Sequence, residues 1–163
     1  MSQAELKKRR REDYKFHLDY RTRCLTKAPR SDNDMYSHMN NTIYYFLFDA
    51  IVNAYLSTQC ALTPSTSPQI GLVVHSHCDY FSPLSFPAVA DLGLRVNQLG
   101  KASVRYEIGV FERGKVEVRA VGEFVHVFVK REGMKPEASG MGEEIRRGLK
   151  ALLVVEDGER AKL

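Results

Sequence analysis

Residues Asn41-Thr42-Ile43-Tyr44-Tyr45-Phe46-Leu47-Phe48-Asp49-Ala50-Ile51-Val52-Asn53-Ala54-Tyr55-Leu56-Ser57 decide the fold. Read at helical period, Ile43, Tyr44, Phe46, Leu47, Phe48, Ile51, Val52, Tyr55 and Leu56 surround most of the cylinder. Only Asp49, Asn53 and Ser57 form a polar stripe, at i, i+4 and i+8. A helix apolar nearly all round is a buried one. It needs a layer that wraps it on most sides, and the remaining chain must supply that layer.

Downstream, Thr63-Pro64-Ser65-Thr66-Ser67-Pro68 reads as a loop, and beyond it the period changes from 3.6 to 2. Ile70 to Phe81 is a predicted strand that Ser82-Pro83 ends. From Ala88 to Val96 the even positions are apolar while Asp91, Arg95 and Asn97 fall on the other face. Ala102 to Val110 repeats this, with Val104, Tyr106, Ile108 and Val110 inward and Arg105 and Glu107 outward. Val116 to Val129 is a longer strand. The joins at 97–101 and 112–115 are short and contain glycine, as hairpins require. These features predict an antiparallel meander with a half-polar outer face. A Gly/Pro/Ser-containing linker follows at 131–140, then a short helix over Glu143 to Val155.

Upstream, residues 1–15 read as a charged arm, and the run Lys7-Lys8-Arg9-Arg10-Arg11 reads as a solvated face. The alternation Phe16, Leu18, Tyr20, Thr22, Cys24 predicts a first strand, closed at Ala28-Pro29. Residues 30–40 form a polar loop rich in groups that titrate or hydrogen-bond, and Asn40 or Asn41 is a suitable N-cap for the helix. One buried helix wrapped by a curled antiparallel sheet is an α+β, hot-dog arrangement.

Composition narrows the class. The net charge of +4 comes without any nucleic-acid-binding motif, and 44% hydrophobic residues support a real core. No apolar run approaches the roughly 20 residues a membrane span requires. Cys24, Cys60 and Cys78 are an odd count without C-x-x-C spacing, which suits a reducing compartment better than a disulfide framework. His75 and His77 share one strand face, but with no third ligand at matching spacing they read as ordinary polar side chains, so no metal is expected. The chain finishes Ala161-Lys162-Leu163, a close variant of the Ser-Lys-Leu address, so a peroxisomal location and an import receptor are expected, with the cytoplasm as the alternative.

Three stretches then carry a family resemblance. Asp32-Asn33-Asp34-Met35-Tyr36-Ser37-His38-Met39-Asn40-Asn41-Thr42-Ile43-Tyr44 resembles the D-x-D-x-x-G-H-x-N-N-x-x-Y signature of the 4-hydroxybenzoyl-CoA thioesterase-like hot-dog family. Tyr80-Phe81-Ser82-Pro83-Leu84 resembles that family's Y-x-x-P-L strand end, and Leu99-Gly100-Lys101-Ala102-Ser103 its L-G-R-S-S hairpin. The matches stand in family order. They imply a thioesterase domain over 16–130, with the arm at 1–15 and the linker, short helix and targeting tail at 131–163 outside it.

The resemblance implies an acyl-CoA thioesterase acting on a fatty acyl-CoA, with coenzyme A entering as part of the substrate and no cofactor needed. Asp34 is implied as the carboxylate base or nucleophile, and the backbone N–H near Asn41 as the donor to the thioester oxygen. His38 and Asn40 are implied to shape the catalytic loop, and Asp49 to face the same region. Tyr44, Tyr45 and Tyr80 are candidate pocket walls, while Lys101 and Ser103 are candidates for holding the coenzyme. A homodimer or tetramer is implied too. A thioesterase for carrier-protein substrates and a non-catalytic acyl-CoA binder are the alternatives. Ser37 departs from the motif's glycine, which would strain the loop by about 1–2 kcal/mol if a left-handed backbone is needed there.

Overall fold

The computed structural model describes residues 1–21 and 32–154. Cys24, the Ala28-Pro29 turn and the terminal Ala161-Lys162-Leu163 lie outside the described residues. The elements in chain order are α1 (Gln3–Leu6), β1 (Phe16–Arg21), α2 (Asn41–Gln59), β2 (Gln69–Tyr80), β3 (Val89–Leu99), β4 (Ser103–Glu112), β5 (Val118–Lys130) and α3 (Glu143–Leu152). The strands form one antiparallel sheet in the order β1-β3-β4-β5-β2, which curls around α2 as the hot-dog reading requires.

The alternation read from β3 and β4 sets the inner face. Leu92, Leu94, Val96, Val104, Tyr106, Ile108 and Val110 pack with Leu47, Phe48, Ile51 and Leu56 of α2 in one core. Gly122 on β5 is part of the fit, because a Cβ there would stand 2.3 Å from the Phe48 ring. Glycine inside a strand here marks a close approach, not a weak point. Cutting Phe48 back to alanine would cost about 3–5 kcal/mol of lost contacts and cavity.

Three sequence readings need correction. The helix is not buried all round: Phe46 is 59% exposed, on a stripe shared with the exposed Thr42, Asp49 and Asn53. One chain's sheet covers only one side of the helix. The outer sheet face is not left half-polar to solvent either. The N-terminal arm lies across it, so that Asp91, Arg95 and Glu107 are buried although they point outward. The basic run, finally, is not simply a solvated face. Arg9 Nε pairs with Glu107 at 2.8 Å, and Arg11 Nη1 with Asp91 at 2.7 Å.

Tyr14 anchors this arm, because Gly93 and Gly109 leave a groove for its ring, where any Cβ would come within 2.6 Å of it. Its hydroxyl donates to Glu107 at 3.1 Å. At the other end, Ile145, Leu149 and Leu152 of α3 join the main core, and the backbone at Leu153 bridges β3 at Val96. Both flanking segments therefore pack on the same body as the sheet.

Candidate active site

The loop from Asp32 to Asn40 is tied to itself. Asn33 and Met39 form an antiparallel bridge. The Asn40 N–H donates to the Asp32 carbonyl at 2.7 Å, and the Met39 N–H donates to Leu84 at 2.6 Å. Asp34 Oδ1 accepts the backbone N–H groups of Tyr36 at 2.8 Å and His38 at 3.1 Å. Ser37 sits near the loop's apex with φ 64°, the left-handed geometry for which the motif's glycine is suited.

The loop delivers the chain to the start of α2. Asn40 is the N-cap, its Oδ1 accepting both the Thr42 N–H and the Thr42 hydroxyl at 3.0 Å. The Ile43 N–H donates to the Asn40 carbonyl at 2.9 Å. At the first helical position, the Asn41 N–H donates to no acceptor among the described residues, as expected where a helix leaves its first donors unsatisfied. The positive end of the helix dipole is aimed the same way.

Asp34, His38, Met39, Asn41, Tyr44 and Tyr80 line one cleft of about 300 Å³. Asp34 Oδ2 takes no hydrogen bond among the described residues, so one carboxylate oxygen is held by the loop and the other is open to a ligand. The rings of Tyr44 and Tyr80 meet edge to face at 5.1 Å. Burial pushes the Tyr44 phenol up to about 12 and Tyr80 further up, so neither exchanges protons readily near neutrality. Burial also pushes the neighbouring Cys78 up to about 12, which keeps it a thiol and removes it as a nucleophile. Among the chemical groups of the cleft, the carboxylate stands out.

The other sequence candidates fall elsewhere. Asp49 is exposed on α2, two turns beyond Asn41, and does not line the cleft. Tyr45 stacks on Phe124 at 6.4 Å, under the helix. Lys101 and Ser103 stand at the opposite end of the sheet. The cleft end of β5 pairs Ala120 with Tyr80, whereas Phe128 donates to Ala102 at the β3–β4 turn. Eight strand residues separate those points, about 26 Å at 3.3 Å per residue. Within one chain, then, the Asp32–Asn40 loop and the hairpin are not brought together.

One inner residue escaped the sequence reading. His126, between Phe124 and Phe128 on β5, is buried, with neither ring nitrogen hydrogen-bonded among the described residues. Desolvation lowers its pKa to about 4, against a weaker upward pull from Asp49. The alternation of β5 would have turned it inward, but a single histidine in an apolar strand carries no motif.

A family model described as the thioesterase superfamily matches residues 36–119. This chain belongs to the thioesterase superfamily. Membership makes it a thioester hydrolase. The superfamily member resembles the PA5185 protein of Pseudomonas aeruginosa strain PAO1, at 42% identity over 91% of this chain and 98% of that one, with a TM-score of 0.82. The fold is shared with Slr0204, a 1,4-dihydroxy-2-naphthoyl-CoA thioesterase from Synechocystis, at 13% identity over 83% of this chain and 96% of that one, TM-score 0.67. The dynemicin thioesterase is similar in fold as well, at 12% identity over 86% of this chain and 98% of that one, TM-score 0.72. A search of curated proteins finds no match.

Proposed function

We propose that this thioesterase hydrolyses an acyl-CoA, with a fatty acyl group in the cleft and Asp34 as the base or nucleophile. The observation that carries the reading is that Asp34 and Asn41 line one cleft, with a carboxylate oxygen and a helix N–H that have no hydrogen-bond partner among the described residues. In the base route Asp34 Oδ2 takes a proton from water, the hydroxide oxygen bonds to the thioester carbon, and the C–S bond breaks to release the thiolate, which is then protonated. In the nucleophile route Oδ2 bonds to that carbon and water later opens the mixed anhydride. In both, negative charge develops on the carbonyl oxygen, where the Asn41 N–H and the helix dipole would stabilise it. A single donor of this kind is typically worth about 10²–10³ in rate. Coenzyme A thiolate is a competent leaving group, so the high pKa of both tyrosines is no obstacle.

The working enzyme is a homodimer in this reading. β2 is a twelve-residue edge strand, and Leu72, Val73 and Val74 on it are exposed. An edge so long and apolar is a template for pairing. Joining two β2 edges antiparallel about a two-fold axis would lay the Tyr80 end of one beside the Gln69 end of the other. That brings the partner's Lys101 hairpin to the same end of the joined sheet as the cleft, and gives the exposed Phe46 stripe a second layer.

Thiol release from a panel of short, long and aromatic acyl-CoAs tests the proposal. Turnover on at least one member, lowered at least about a hundredfold by Asp34→Ala, is the expected result. Equal turnover by both proteins would remove Asp34 from the chemistry, and binding without turnover by the wild type would make the chain an acyl-CoA binder.

A further inference from the structure

The outer sheet face, opposite the α2 side, carries a second constellation. His75 and His77 of β2 lie side by side there, ring centroids 5.7 Å apart, because a bulge between Val73 and His75 resets the register so that both pair outward opposite Val125 and Glu123. The third ligand absent from the local spacing comes from β5. Glu123 Oε1 is 3.8 Å from His75 Nε2 and 3.8 Å from His77 Nδ1, and one ligand atom from each residue lies within 4.8 Å of the others. A tetrahedral ion with bonds of about 2.0–2.1 Å holds its ligands about 3.4 Å apart. The cluster is therefore close to ligand spacing. Both imidazoles are about half exposed, at 56% and 47% side-chain exposure.

A second observation points to a metal. The other ring nitrogen of His77, Nε2, faces Asp79 Oδ2 at 3.6 Å, and Gln3 of α1 fixes that carboxylate with a 2.6 Å hydrogen bond. A carboxylate behind the far nitrogen of a histidine is how metal-ligating imidazoles are oriented. The group opens into a cleft of about 370 Å³ between the arm and the sheet, which leaves room for water on the remaining coordination position.

We infer that His75, His77 and Glu123 bind a divalent transition-metal ion, Zn²⁺ by ligand type, which clips the edge strand β2 to β5. Two imidazoles and a carboxylate suit zinc, nickel or copper better than calcium or magnesium. The site is separate from the thioesterase cleft, since these side chains project from the other face of the sheet. Arg105 already pairs with the part-buried Glu123, so the ion must displace or share that carboxylate, and it competes with an ion pair whose arginine side is open to solvent.

The test uses the full chain with any affinity tag removed and metal stripped by chelator. Calorimetric titration with Zn²⁺ should saturate at one ion per chain, and Co²⁺ should develop visible d–d absorption as it binds. His75→Gln and Glu123→Gln should each weaken Zn²⁺ binding by more than tenfold, and Asp79→Asn by about tenfold through His77. Arg105→Ala should strengthen binding, because it frees Glu123. The two histidines are exposed, so the variants should fold, and circular dichroism checks that they do. No saturable binding by the wild type, or equal binding by wild type and His75→Gln, would overturn the site.

Discussion

Asp34 and His38 hold each other through the backbone: the Asp34 N–H donates to the His38 carbonyl at 2.7 Å, and Asp34 Oδ1 accepts the His38 N–H at 3.1 Å. The same carboxylate therefore shapes the loop with one oxygen and presents the other to the cleft. Alanine at this position removes both roles, whereas asparagine keeps an acceptor for the loop. Asp34→Asn is expected to melt within a few degrees of the wild type while losing at least about a hundredfold in kcat. An Asn variant of near-normal activity would show that Asp34 acts only as a loop cap.

Ser37 stands in the left-handed region at φ 64°. Serine tolerates it at a cost, glycine adopts it freely, and a β-branched residue is the poorest fit. Ser37→Val should destabilise the protein by about 1–2 kcal/mol, while Ser37→Gly should leave or slightly raise the melting temperature. Chemical denaturation of the three proteins measures this. A neutral valine would mean the loop relaxes to another geometry.

His126 predicts a pH dependence whose sign follows from its burial. In the unfolded chain the imidazole takes its proton near 6.5, but in the fold desolvation lowers that to about 4. Between these values the unfolded state binds more protons, so stability falls as pH drops through the window and is unaffected above it. The shift corresponds to about 3 kcal/mol at the low end. Asp49 across on α2 opposes the effect slightly, and Tyr106, at a ring distance of 5.3 Å, stays neutral throughout. His126→Leu should flatten the dependence between pH 6.5 and 4 and cost little at pH 7, because no hydrogen bond is lost. An unchanged pH profile in that variant would assign the dependence elsewhere.

The exposed edge of β2 predicts assembly. A charge introduced at Val73, which is exposed on that edge, should weaken pairing between two copies. Sedimentation at micromolar concentration should find wild type as a dimer or larger and Val73→Lys shifted toward monomer, with thioesterase activity falling in parallel. A monomeric wild type with full activity would confine the whole site to one chain.

The sequence by itself determined a good deal. Helical and two-residue periods report which side of each element is apolar, and that property is local, so α2 and the inner faces of β3 and β4 were readable from their own residues. The loop from Asp32 to Asn40 was legible for a similar reason. The bonds that Asp34 makes close within a few residues, and Asn40 caps the helix that follows, although the ties to Leu84 and Phe86 come from a distant segment. What the sequence could not say was what lies against an outward-facing side. Glu107 reads as a surface residue until Arg9 and Tyr14, more than ninety positions away in the chain, fold over it. The Lys101 hairpin matches its motif, yet it stands at the far end of the sheet from Asp34, because a strand carries its two ends apart. His75 and His77 were visible as a pair, but Glu123 joins them only through the β2–β5 register and its bulge. Periodicity fixes the direction of a side chain. Its neighbours depend on contacts between distant segments, and those exist only in the folded chain.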